Sequence, residues 1–125
     1  MSENNEQIIR EFVSLWAIRD AQAMAEMFAL DGVYDNVPYQ KPMVGRKEIH
    51  AWLDRCFEHL TRIDVEVINC ACQGDWVLSE RIDTHVMDNR HMPLPVMNAA
   101  RLSEGKIVMF RDYFDRQTVK ELGMG

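Results

Sequence analysis

The second half of the chain constrains the fold most. From about residue 62 to 116 it gives four strand signals in succession, roughly 62–72, 76–87, 94–103 and 106–116. Three of them are rich in Val, Ile or aromatic residues, and turn residues separate the runs. Gly74-Asp75 and Ser103-Glu104-Gly105-Lys106 read as hairpin turns, and Asp88-Asn89-Arg90 reads as the start of a longer connection.

The first half supplies helices to cover such a sheet. Ile8, Ile9, Phe12, Val13 and Trp16 recur at helical spacing over residues 5–18. Asp20 is a candidate N-cap for a second helix, AQAMAEMFA, with Met24, Met27 and Phe28 turned inward. Leu30-Asp31-Gly32 punctuates the chain, VYDNV reads as a short strand, and residues 38–45 read as a loop marked by Pro38, Pro42 and Gly45. A third helix is expected over 46–60, with Ile49, Trp52, Leu53, Cys56, Phe57 and Leu60 as its apolar stripe. The order predicts an α+β fold. A curved, mixed or antiparallel sheet forms a cone, with the three helices of the N-terminal half on its concave side. One domain over residues 1–125 is expected, because this length suffices for a real core. The mouth of such a cone is a natural small-molecule site.

Polar residues break the apolar pattern of these strands. In FRDYFD, residues 110–115, alternation places Val108, Phe110, Asp112 and Phe114 on one face and Met109, Arg111, Tyr113 and Asp115 on the other. Asp112 is the one acid on an otherwise apolar face, and burying a carboxylate is costly unless it is paired or protonated. In WVLSERIDTHVM one face carries Val77, Ser79, Arg81, Asp83, His85 and Met87. The other carries Trp76, Leu78, Glu80, Ile82, Thr84 and Val86, and it is the greasier of the two. If the first face is the inner one, two carboxylates and one guanidinium meet. Arginine's fork can bridge both acids, and a shared proton relieves their net charge. The result is a general acid and a general base in one site. Tyr34 and Asn36, on one face of VYDNV, add neutral groups that can hold a water.

Charge and motifs exclude several other functions. Net charge is −6 with no basic run, which argues against nucleic acid and anionic membrane as partners. No stretch approaches the roughly 18 apolar residues of a membrane span. The start, MSENNEQ, has no apolar core of a signal peptide, and Cys56, Cys70 and Cys72 are an odd number, so a reduced, cytoplasmic protein is expected. The four histidines lack metal-ligand spacing and no glycine-rich phosphate loop is present, so neither metal nor cofactor is expected.

YDN at 34–36, ERID at 80–83 and FRDYFD at 110–115 resemble the limonene-1,2-epoxide hydrolase family, in both residues and approximate spacing. The order of elements is similar over nearly the whole chain. The resemblance implies a nuclear transport factor 2-like (cystatin-like) cone and a one-step, metal-free hydrolysis of an epoxide to a vicinal diol. It implies that Asp112 takes a proton from a catalytic water held with Tyr34 and Asn36. Asp83 would protonate the epoxide oxygen, and Arg81 would bridge the two acids. Trp16, Trp52, His85, Leu94, Val96 and Phe114 are the candidate pocket walls around a small, mostly apolar epoxide. By the same likeness a homodimer is expected, with the outer sheet face as its surface.

Three departures bear on the pocket. His85 stands where an apolar pocket residue is expected. Asn98 and the following alanines stand where members of that family usually carry Gly, Val and an aromatic, and residues 37–43 are slightly longer. Two rival readings remain beside hydrolysis. One is a ketosteroid-isomerase-like or polyketide-cyclase-like enzyme, and the other is a non-catalytic binding or dimerisation module.

Overall fold

A computed structural model describes residues 2–124. The chain runs α1 (Ser2–Ile18), α2 (Ala21–Glu26), β1 (Phe28–Asn36), a 3-10 turn (Val37–Tyr39), β2 (Met43–Val44) and α3 (Arg46–His59). It continues through β3 (Arg62–Gln73), β4 (Trp76–Met87), β5 (Arg90–Ser103) and β6 (Lys106–Tyr113), and ends in α4 (Arg116–Glu121). The six strands form one mixed sheet in the order β2-β1-β6-β5-β4-β3. β1 and β6 are parallel, and all other pairs are antiparallel. The sheet does not close, since β2 and β3 remain its edges. Among the described residues no helix is long and apolar enough to cross a membrane.

The helices cover one face of the sheet through the stripes that the periodicity marks. Ile9, Phe12, Val13 and Trp16 of α1 and Ile49, Leu53 and Phe57 of α3 are buried in the core. Phe12 meets Phe28 and Phe110 edge-on, with ring centroids 5.4 and 4.9 Å away, and Tyr34 lies 5.0 Å from Phe110. Burying each phenylalanine stabilises the fold by about 1.5–3 kcal/mol. Asp20 does cap α2, its carboxylate accepting from the Ala23 N–H at 3.0 Å. That helix ends earlier than its composition predicts, and Phe28 belongs to β1 instead. β1 runs straight through Leu30-Asp31-Gly32 with a register shift before Val33. Gly32 permits this, because a Cβ there would stand 2.9 Å from the Ile107 carbonyl.

Several expected boundaries move. Asp88-Asn89 is a two-residue hairpin turn, both residues at positive φ, and β5 already begins at Arg90. Pro93 and Pro95 are compatible with this longer strand because β6 pairs with β5 only from Met97 onward, leaving their other side unladdered. β6 ends at Tyr113, short of the expected 116. Asp115 leaves the strand and caps α4, accepting from the Gln117 N–H at 3.0 Å. Alternation in β6 is also broken. A register shift near Val108 turns Ile107 into the core, fully buried, while Val108 is only half-buried. Phe110 and Asp112 keep the inner face that alternation assigns them.

Candidate active site

The more polar face of β4 is the inner one. Val77, Ser79, Arg81 and Asp83 are buried, whereas Leu78 on the greasier face is 44% exposed. Alternation alone left this open, and the reason lies across the sheet. β4 pairs with β5 so that Arg81 faces Val96 and Asp83 faces Leu94, while β5 pairs with β6 so that Asn98 faces Asp112. β1 completes the set, with Asn36 beside Asp112 in the parallel register.

Arg81 is the bridge. Its Nε donates to Asp83 Oδ1 at 3.0 Å, its Nη2 to Asp83 Oδ2 at 2.8 Å, and its Nη1 to Asp112 Oδ1 at 3.0 Å. The guanidinium is 2% exposed, with its carbon 5.7 Å from the centre of the Phe110 ring. Burial opposes its charge, but Asp112 and Asp83 more than offset that and hold Arg81 well above its ordinary range. Burial pushes the Asp112 carboxyl up. Arg81's charge opposes the shift, Asp83's charge adds to it, and hydrogen bonds from Arg81 and Asn98 oppose it again, leaving Asp112 raised. Tyr34 sits 3.5 Å from Asp112 Oδ2. Burial, followed by the Asp112 charge, lifts its phenol well above the ordinary range, so it remains a neutral donor.

Asp83, Asp112, Tyr34 and Asn36 all line one cavity of about 510 Å³. Trp16, Trp52, His85, Leu94, Val96 and Phe114 line the same cavity, and Arg81 is tucked behind the two carboxylates. The rest of the wall comes in part from α4 and the segment after it, through Val119 and Met124. Those residues lie beyond the last expected strand, which ended at 116, and carried no site signal. His85 is held with Nδ1 3.2 Å from the Asp83 carbonyl, and since that oxygen only accepts, Nδ1 is the donor. Burial lowers the His85 pKa against the opposing charge of Asp83. Cys56 also lines the cavity, and burial pushes its thiol up to about 12. Among the described residues no group of three or more His, Cys, Asp or Glu is placed to hold a metal ion.

One residue of the cluster was not read as part of it. Asn98 is 2% exposed and donates from Nδ2 to Asp112 Oδ1 at 2.8 Å and to the Arg111 carbonyl at 2.8 Å. The signal was the same one that marks Asp112. Leu94, Val96, Asn98 and Ala100 share the inner face of β5, and Asn98 is its one polar member.

The arrangement resembles known proteins at the level of fold and family. The SnoaL-like domain family matches residues 9–110. A curated relative, the epoxide hydrolase EphG of Mycobacterium tuberculosis, is 29% identical over 85 residues, 68% of this chain. The chain spans 56% of the length of that relative. A solved LEH-like epoxide hydrolase from M. tuberculosis superposes with a TM-score of 0.86 at 21% identity, covering 97% of this chain and 90% of the other. A Catenulispora acidiphila protein with a ketosteroid isomerase-like fold, solved with trimethylamine, gives 0.83 at 21% identity over 94% and 93%. A Shewanella putrefaciens protein assigned as a SnoaL-like polyketide cyclase gives 0.84 at 14% identity over 97% of both chains. The mixed sheet with its helices is thus the nuclear transport factor 2-like architecture, and the epoxide hydrolase likeness read from the three motifs recurs among these relatives. With 9–110 matched, most of its length, this chain belongs to the SnoaL-like domain family.

Proposed function

We propose that this chain, working as one domain over residues 1–125, adds water to a small, mostly apolar epoxide to give a vicinal diol. The observation that carries the reading is the Asp83–Arg81–Asp112 bridge at the wall of a largely apolar cavity. Two carboxyls around one fixed cation share a proton, which supplies an acid and a base together. Asp112 takes a proton from water, whose oxygen attacks one ring carbon. That ring C–O bond breaks, and Asp83 gives its proton to the departing oxygen. Tyr34 and Asn36 hold the water beside Asp112, and Arg81 stays charged throughout. No covalent intermediate and no cofactor takes part. Trp16, Trp52, Leu94, Val96 and Phe114 enclose the hydrocarbon body of the substrate, and His85 adds a polar edge to the wall.

The same reading puts the protein in the cytoplasm, where its three cysteines, none in a disulfide among the described residues, stay reduced. A second copy would pack on the outer sheet face, where Leu78, Met97 and Tyr113 are exposed on adjacent strands. Light scattering of wild type and Met97→Glu tests that assembly, and a monomeric wild type would remove it.

A second reading is favoured by the comparably close ketosteroid isomerase-like and polyketide cyclase neighbours. In it one carboxylate moves a proton next to a carbonyl. The two separate on a substrate panel. Diol formation from cyclohexene oxide, limonene oxide or larger epoxides, lost in Asp112→Asn, supports hydrolysis. Turnover of carbonyl substrates alone supports the second reading.

A further inference from the structure

Two carboxyls that share a proton must be told apart, and Asp83 and Asp112 are not treated equally. Asp83 accepts two charge-assisted bonds from the Arg81 fork, at 3.0 and 2.8 Å. Asp112 accepts one from Arg81, at 3.0 Å, and among the described residues its Oδ2 has only the long 3.5 Å approach of Tyr34. Each donor to a carboxylate favours its ionised form. With Arg81 alone, the more deeply buried Asp112 would be the carboxyl to take the proton, and the site would lose its base.

Asn98 acts against that proton uptake. Its Nδ2 donates to Asp112 Oδ1 at 2.8 Å. The orientation of the amide is forced, because the same nitrogen also meets the Arg111 carbonyl at 2.8 Å, and a flipped amide would set oxygen against two acceptors. The arrangement leaves Asn98 Oδ1 buried with no hydrogen-bond partner among the described residues. Ser79 Oγ, across the β4–β5 ladder, is in the same condition. An apolar side chain of similar volume would avoid that orphaned oxygen, so its retention points to use of the nitrogen.

We propose that Asn98 is a positioning residue that favours the ionised form of Asp112 and commits its Oδ1, so that Oδ2 is the oxygen turned to the water. The kinetic part rests on the hydrolase reading, while the protonation part does not. The groups facing Asp112 are Arg81 and Asp83 from β4, Tyr34 from β1 and Asn98 from β5, with His85, His59 and Cys56 farther along the cavity wall. Tyr34 and Cys56 are held protonated by burial, so neither mimics the effect.

The test titrates the Asp112 carboxyl by carbon-13 NMR, assigned by its absence in Asp112→Asn. The proteins compared are wild type, Asn98→Leu, which keeps the branched shape without the donor, and Asn98→Ala, which relieves crowding should the leucine not fold. The Asp112 midpoint should rise by roughly one pH unit or more in either variant. The acidic limb of kcat/KM for epoxide opening should move up by the same amount, with activity recovering as pH rises. An unmoved midpoint in a folded variant overturns the proposal, even if the wild type opens epoxides. A moved midpoint in proteins that open no epoxide keeps it and sinks the hydrolase reading instead.

Discussion

Arg81 grips Asp83 through both carboxylate oxygens, and with its remaining terminal nitrogen it holds Asp112. The cation is therefore as much a structural element as a chemical one. Removing it leaves two carboxylates, 8% and 5% exposed, with no charge to meet them.

Replacing Arg81 by Met should cost about 3–5 kcal/mol of stability at pH 8, the usual penalty for breaking a buried pair. The sign of the pH dependence is fixed. Without the cation the already raised Asp112 rises further above its unfolded value, so the folded state binds more protons, and the added cost grows as pH rises and shrinks toward pH 5. Urea unfolding at pH 5 and pH 8 measures it, and an equal loss at both would remove the charge argument.

Asp83→Asn and Asp112→Asn should each lower kcat by about 10²–10⁴-fold, the range for loss of a general acid or base. Tyr34→Phe keeps the ring packed against Phe110 and loses one neutral donor, so about a 3- to 10-fold fall in kcat is expected. Steady-state kinetics on one epoxide checks all three.

The rate should follow a bell-shaped pH profile whose limbs belong to the coupled pair. Activity falls on the acid side as the pair takes a second proton. It falls on the alkaline side as the shared proton is lost. A profile that stays flat into strong alkali would contradict the shared proton.

His85 should leave its own mark on stability. Burial lowers its pKa, so the unfolded chain binds more protons between the folded and unfolded values. Stability contributed by His85 is present above about pH 6.5 and declines as pH falls through that window. Thermal melts of His85→Phe between pH 7.5 and 5.5 should show a shallower slope than wild type.

The fold and most of the cluster were legible because period-two alternation is a local property that the structure largely keeps. Asp112, Arg81 and Asp83 were each found as polar residues on a strand, and all three lie on the inner face. Alternation failed where the ladder slips, at Val108, because a register shift depends on the partner strand. The end of β6 was misread for a related reason. FRDYFD continues a strand pattern, yet the Asp115 carboxylate accepts from the Gln117 N–H and the Thr118 hydroxyl and starts α4. Asn98 was visible in the alternation but its partner was not, since only the β5–β6 register sets it opposite Asp112.

The most direct measurement is a single turnover in oxygen-18 water with enzyme in excess over epoxide. If Asp112 activates water for direct attack, the diol formed in that first turnover carries one label, and Asp112→Asn forms none. An unlabelled diol, with the label appearing only after the enzyme has itself become labelled, would mean that a carboxylate attacks the ring and the account is wrong.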